Sequence, residues 1–240
     1  MQSIGEFWAH VTEFIAIWAL FHRFGSIGGW SLPEVALLYG LVNTQWAITD
    51  MIGRGFDAFD TMVKSGDFDR VLLRPRATTL QLAGLEFTLR RLGRLAQGLA
   101  ILVWALVALN ILWTPGKVAL FVLAVAGGVC LFYGLLVVQA TLCFWTVESL
   151  EIMNVFTYGG LETARYPVSI YRPNFRRFFT AVVPLACVTY FPALALLGRA
   201  DPLGSTLVFQ YAAPLAGLIF LLVSLQVWKF GVRHYQSTGS

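Results

Sequence analysis

Three constellations in this chain have residue types and spacing that could do chemistry. Glu6, His10 and Glu13 fall at i, i+4 and i+7, on one face of a helix. Ten residues rise about 15 Å, so Glu13 would come near the middle of a bilayer. Asn43, Trp46 and Asp50 make a similar stripe further on. An ionisable group at that depth costs roughly 3 kcal/mol and normally faces protein or water. Two chemistries fit such stripes: a translocation path or site for a cationic substrate, or hydrogen bonding between helices. The third constellation is Lys64–Ala83, KSGDFDRVLLRPRATTLQLA, the densest charged segment of the chain.

Within that segment Ser65 is placed to cap a short helix. Asp67 and Asp69 would fill its first turn and Arg70 and Arg74 its last, the order the helix dipole favours. Phe68, Val71 and Leu72 form one apolar stripe. Pro75 disfavours helical geometry at Arg74 and should end the helix there. Thr78 to Gln81 fits a capping box, T-x-x-Q, that would start a second helix. Such an element serves either as a contact for a partner or as a loop resting on lipid headgroups.

Catalytic machinery is missing from the sequence. It contains no G-x-x-x-x-G-K-[ST], no H-E-x-x-H, no G-x-S-x-G and no acid–histidine cluster at metal spacing. No catalytic residue and no metal site is therefore expected. Cys130, Cys143 and Cys187 all lie within apolar runs and suit small core positions.

The elements that carry these residues belong to a membrane protein. The 240 residues are 58% hydrophobic and 12% charged, about half the charge of an ordinary soluble chain. Mean hydropathy is +0.70. Stretches of about 20 apolar residues predict six spans: Ile4–Phe21, Leu32–Ile52, Leu92–Trp113, Lys117–Trp145, Phe178–Leu197 and Leu207–Lys229. The expected fold is an all-α integral membrane protein, one transmembrane domain over residues 1–240 without a nucleotide-binding domain. Six spans put both termini on one side. Fourteen of the 17 bases lie in that side's connections and three, Arg23, Lys117 and Arg199, on the other. The positive-inside rule then makes the termini and the charged segment cytoplasmic, and it explains the net charge of +4 without nucleic acid.

The second long connection carries Glu148, Glu151 and Glu162, then ARYPVSIYRPNFRR. On this reading it is cytoplasmic, with Tyr166, Ile170 and Tyr171 in the interface and Arg165, Arg172, Arg176 and Arg177 on phosphates. Pro184 and Pro192 would kink the fifth span. Together with Glu13, Asn43 and Asp50 they are the candidate elements of a translocation pathway.

Four words carry a family resemblance: GGWSLPEVALLYG at Gly28–Gly40, SGDFDRVLLRP at Ser65–Pro75, YPVSIY at Tyr166–Tyr171 and VPLACVTYFPALALLG at Val183–Gly198. In their order and spacing the chain resembles a type-2 ABC transporter permease, the bacterial exporter-type membrane subunit. The resemblance implies two permeases per transporter, identical or paralogous, and two cytoplasmic ATPase subunits that bind the ATP and magnesium. The permease itself would bind no cofactor. A coupling helix would dock on the ATPase, a role that here falls to Gly66, Asp67, Phe68, Asp69, Arg70, Val71, Leu72, Arg74 and Pro75. The implied setting is the inner membrane, and the implied activity is substrate efflux driven by ATP hydrolysis on the partner. The competing reading is an ion-gradient-driven secondary transporter or channel, with Glu13 and Asp50 as ion sites.

Overall fold

A computed structural model describes residues 12, 15, 17–57, 59–84, 92–146 and 150–235, the side chains of 57 and 150–156 excepted. Glu6, His10 and Glu13 lie outside the described residues. Residues 17–24 are helical and lead into a tight hairpin, in which Ile27 and Trp30 bridge across Gly28 and Gly29. Both glycines have positive φ (57° and 78°), the pair of angles a two-residue hairpin turn requires.

Helix α1, Leu32–Ile52, matches the expected second span. Its start is fixed locally: the Ser31 amide and hydroxyl both donate to Glu34, at 2.7 and 2.9 Å, and Pro33 suits the first turn. Four short helices follow: α2 (Arg54–Asp57), α3 (Phe59–Ser65), α4 (Phe68–Leu72) and α5 (Thr78–Ala83). Helix α6 spans Leu92–Ala108. It stops short of the expected Trp113 because Asn110 takes a left-handed conformation (φ 47°), a usual way to end a helix. Helix α7, Pro115–Leu142, begins on a Thr114 cap whose hydroxyl accepts from the Lys117 amide.

Beyond α7 the structure departs from the sequence reading. Residues Leu150–Ala164 form a helix, α8, within what the sequence reading treats as a connection. The expected fifth span, Phe178–Leu197, is not one rod. Helix α9 (Pro173–Arg177) and a π turn (Phe178–Val182) meet α10 (Leu185–Val188) and α11 (Tyr190–Leu197) at a bend of 70°. The sixth stretch is split at Pro214 into α12 (Leu207–Ala212) and α13 (Leu215–His234).

Helix registers give the directions. Helix α6 runs antiparallel to α1, with Gly40 against Leu102 and Gly98 against Asn43. Helix α7 runs parallel to α1, with Gly128 against Gln45 and Gly53 against Leu136. Helix α13 runs parallel to α7, with Gly217 against Gly127 and Gly231 against Thr141. Helix α8 runs antiparallel to α1, since Tyr158 packs on Trp46 and Arg165 on Tyr39.

The molecule therefore has a hairpin face and, at the other end of α1, an α4 face. Ile170 packs against Gly28, so the segment Tyr166–Tyr171 lies towards the hairpin face. Arg172, Arg176 and Arg177 follow within seven residues. Even a fully extended chain of that length spans about 24 Å, less than the roughly 31 Å of the 21-residue α1. This corrects the expectation that the segment and its arginines sit beside the charged segment. The chain reaches the hairpin face through α8, and the bent pair then dips and returns.

Helices α7 and α13 are each long and apolar enough to cross a membrane, and the bent pair also passes when taken together. Val103 and Val107 on α6, Val122 on α7 and Leu222 on α13 are exposed, an apolar exterior suited to lipid.

Candidate functional site

The charged segment folds differently in detail from its sequence reading. Gly66 adopts φ 74° and separates α3 from α4. Ser65 closes α3 instead of capping α4, and its hydroxyl donates to Asp67 at 2.7 Å. Asp67 holds the cap position without a side-chain cap bond. Asp69 does fall in the first turn and Arg70 in the last.

The apolar stripe faces inward. Phe68 is fully buried, with ring centroids of Phe59, Tyr235 and Phe144 at 4.9, 5.1 and 5.6 Å. Val71 is buried beside it. Phe68 and Val71 are thus anchors of α4 and not, as expected, groups that fill a groove on a partner. The outward apolar surface is Leu72, Leu73 and Leu80, with Leu73 and Leu80 85% and 72% exposed. Arg70, Arg74 and Arg76 are exposed as well.

The residues of the expected capping box have other duties. Ala77 occupies the cap of α5. The Thr78 hydroxyl instead accepts from the Trp228 indole at 2.9 Å, tying α5 to α13. Gln81 donates to the carbonyls of Val71 and Arg76, at 3.1 and 2.9 Å, and so pins the loop that carries Leu73, Arg74 and Pro75. A recess of about 680 Å³ opens there, lined by Arg74, Pro75, Arg76, Leu80, Gln81 and Gly84.

A buried polar cluster gathers around α1. Asn43 accepts from Arg165 at 3.2 Å and donates to the Tyr39 carbonyl at 2.8 Å. The Arg165 guanidinium is almost wholly buried, lies 5.0 Å from the Tyr39 ring centroid and pairs with Glu162 at 2.6 Å. Gln97 on α6 donates to the Tyr39 hydroxyl at 3.3 Å. About two turns nearer the α4 face, Arg94 pairs with Asp50 at 3.9 Å. Trp46 packs edge-on to Phe132 and Tyr158. The stripe Asn43–Trp46–Asp50 thus joins α1 to α6, α7 and α8 at once.

Pro184 and Pro192 lie in the bent pair. Each removes an amide donor from the carbonyl four residues back, and a side chain replaces it. Cys187 Sγ stands 3.6 Å from the Thr180 carbonyl, and Gln45 Nε2 lies 3.0 Å from the Val188 carbonyl. At the hairpin face, Arg199 pairs with Glu34 at 2.9 Å, donates to the Gly29 carbonyl at 2.7 Å and covers the Trp30 ring at 4.5 Å.

A family model described as ABC-2 family transporter protein matches residues 7–239. The chain belongs to the ABC-2 transporter family. No curated protein and no solved structure matches it. As an ABC permease it is a membrane transport subunit, of a kind that normally works with an ATPase subunit.

In this ABC-2 permease the sequence reading finds Asn43 and Asp50 but not their partners Arg165, Glu162, Arg94 and Gln97. Charge alone suggests headgroup-level bases at Arg165 and Arg94, and the fold turns both inward. A signal was present: Arg165 follows Glu162 at i+3, an ion pair within a helical turn. Among the described residues no group of acids, histidines and cysteines could hold a metal.

Proposed function

We propose that this ABC-2 permease is the membrane half of an ATP-driven bacterial exporter. It crosses the inner membrane six times, through the first apolar stretch Ile4–Phe21 and through α1, α6, α7, α8 and α13, with the bent pair re-entering from the outer face. Both termini and α4 are cytoplasmic. Two permeases, identical or paralogous, work with two ATPase subunits that bind ATP and magnesium. The base distribution supports this orientation: with Arg172, Arg176 and Arg177 moved outward and Arg165 buried, ten bases remain on the α4 side against six.

One observation carries the coupling assignment. On the α4 face Leu72, Leu73 and Leu80 are exposed, as are Arg70, Arg74 and Arg76, and Leu80 lines one recess with Arg74 and Arg76, an apolar surface with bases beside it. The helix beneath is held by the Phe68 aromatic cluster. An ATPase that closes on ATP would push on this patch, and α4 would pass the push to α13 through Phe68–Trp228 and to α5 through Gln81. Pro184 and Pro192 lie in the bent pair, which α1 meets through Gln45, and Asn43 and Asp50 lie on α1 towards α8 and α6; substrate would pass outward along these α1 contacts.

Isolation of the permease with its ATPase tests the reading. Leu73→Asp should abolish co-isolation and stimulated ATP hydrolysis while the protein inserts and elutes normally. Gradient-driven transport by the isolated permease without any ATPase would overturn it.

A further inference from the structure

Between α5 and α13 lies a groove of about 330 Å³, lined by Thr78, Thr79, Leu222, Leu225, Gln226 and Lys229 among others. Its base is fixed, because buried Trp228 donates to Thr78 at 2.9 Å. The groove changes character along its length. Leu222 is exposed next to Val223 on the apolar exterior of α13. Lys229 lies seven residues on, about 10 Å further along the helix axis. Arg233 and His234 close α13 one turn later, so the helix leaves the apolar level near Lys229.

Lys64, Arg70, Arg94, Arg165 and Arg199 each pair with a carboxylate. Among the described residues none pairs with Lys229. The groove therefore has, among the described residues, an ammonium without a carboxylate at its polar end, leucines at its apolar end and the Thr79 hydroxyl in its lining. That is the complement of an anionic phospholipid in the leaflet at the α4 face.

We propose that this groove binds one anionic phospholipid. Its phosphate meets Lys229 and Thr79, and an acyl chain lies along Leu222 and Leu225. A zwitterionic headgroup fits less well, because its own cation is repelled by Lys229. The bound lipid bridges α5, adjoining α4, to the last long helix, and so braces the face that carries the exposed leucines.

The test uses the full chain purified in detergent and offered equal amounts of phosphatidylglycerol and phosphatidylcholine, with retained lipid read by native mass spectrometry. One phosphatidylglycerol should be retained in preference. Lys229→Gln should reduce that preference about fivefold, the worth of one basic side chain against an anionic surface. Thr79→Trp should do the same by filling the groove while Lys229 remains, and Arg233→Gln should leave the preference intact. Equal retention of the two lipids by the unaltered protein, or a preference that survives Lys229→Gln, overturns the proposal. So does one that survives Thr79→Trp in protein that elutes normally. Lys229 is exposed, so its variant keeps the test decisive even where Thr79→Trp fails to fold.

Discussion

The Gln45 side-chain amide donates to the Val188 carbonyl at 3.0 Å, and Pro192 is the reason that carbonyl is available. In an unbroken helix the amide four residues on would take it, but residue 192 has no N–H. A carbonyl left without a donor in a lipid-surrounded interior is costly. Gln45 also donates to the Ala124 carbonyl at 3.0 Å, so one side chain ties α1 to both α7 and the bent pair. Gly128 leaves the room: a Cβ there would collide with the Gln45 amide.

Gln45→Leu should lower stability by about 1–3 kcal/mol, the cost of an unsatisfied buried polar group, measured by thermal unfolding in detergent. Pro192→Ala in the same background should return part of the loss by restoring a donor for Val188. An equal cost of Gln45→Leu in the parent and in the Pro192→Ala background would show that the two positions are not coupled.

Phe68 and Leu73 should separate folding from coupling. Phe68→Ala empties the centre of the aromatic cluster formed with Phe59, Phe144 and Trp228, and should cost about 3–5 kcal/mol in unfolding. Leu73→Asp changes a residue that is 85% exposed, and should leave the melting temperature within about 2 °C. Its loss should appear in co-isolation with the ATPase and in ATP hydrolysis stimulated by the permease, not in unfolding.

The Asn43–Arg165 contact should be sensitive to shape as well as charge. Arg165→Lys keeps the charge but loses the planar group over Tyr39 and the fork that reaches both Asn43 and Glu162. A destabilisation of about 1–2 kcal/mol is expected. A lysine variant that unfolds like the parent would show that charge alone matters here.

Asp201 should give the loop after α11 an acid-dependent component. Burial alone would raise its carboxyl pKa, but donors from Ser205, the Leu203 amide and Tyr190 outweigh it and hold it below the ordinary value of 3.8. A carboxylate depressed in the folded state stabilises above its unfolded pKa and loses that contribution as pH falls through the folded one. Unfolding measured from pH 7 to pH 5 should therefore show no difference in slope between the parent and Asp201→Asn. Below about pH 4 the parent alone should lose this increment.

What the sequence determined by itself is whatever depends on neighbours along the chain. Ser31, Pro33 and Glu34 specify the start of α1, and Thr114 and Pro115 that of α7, because caps and proline act within one turn. The apolar runs and low charge likewise require an all-helical chain in lipid. Tertiary structure decided which side each amphipathic element presents and which way each segment turns. Phe68 and Leu72 share an apolar stripe, but only the arrival of Trp228 and Tyr235 buries one and leaves the other out. The segment Tyr166–Tyr171 lies towards the hairpin face because Ile170 packs on Gly28, a contact between distant parts of the chain that no local pattern encodes. Proline announced the breaks in the bent pair, yet Gln45 on another helix supplies the missing donor for Val188. Hydropathy ranks segments by their affinity for lipid; it carries no information about which partner satisfies a freed carbonyl.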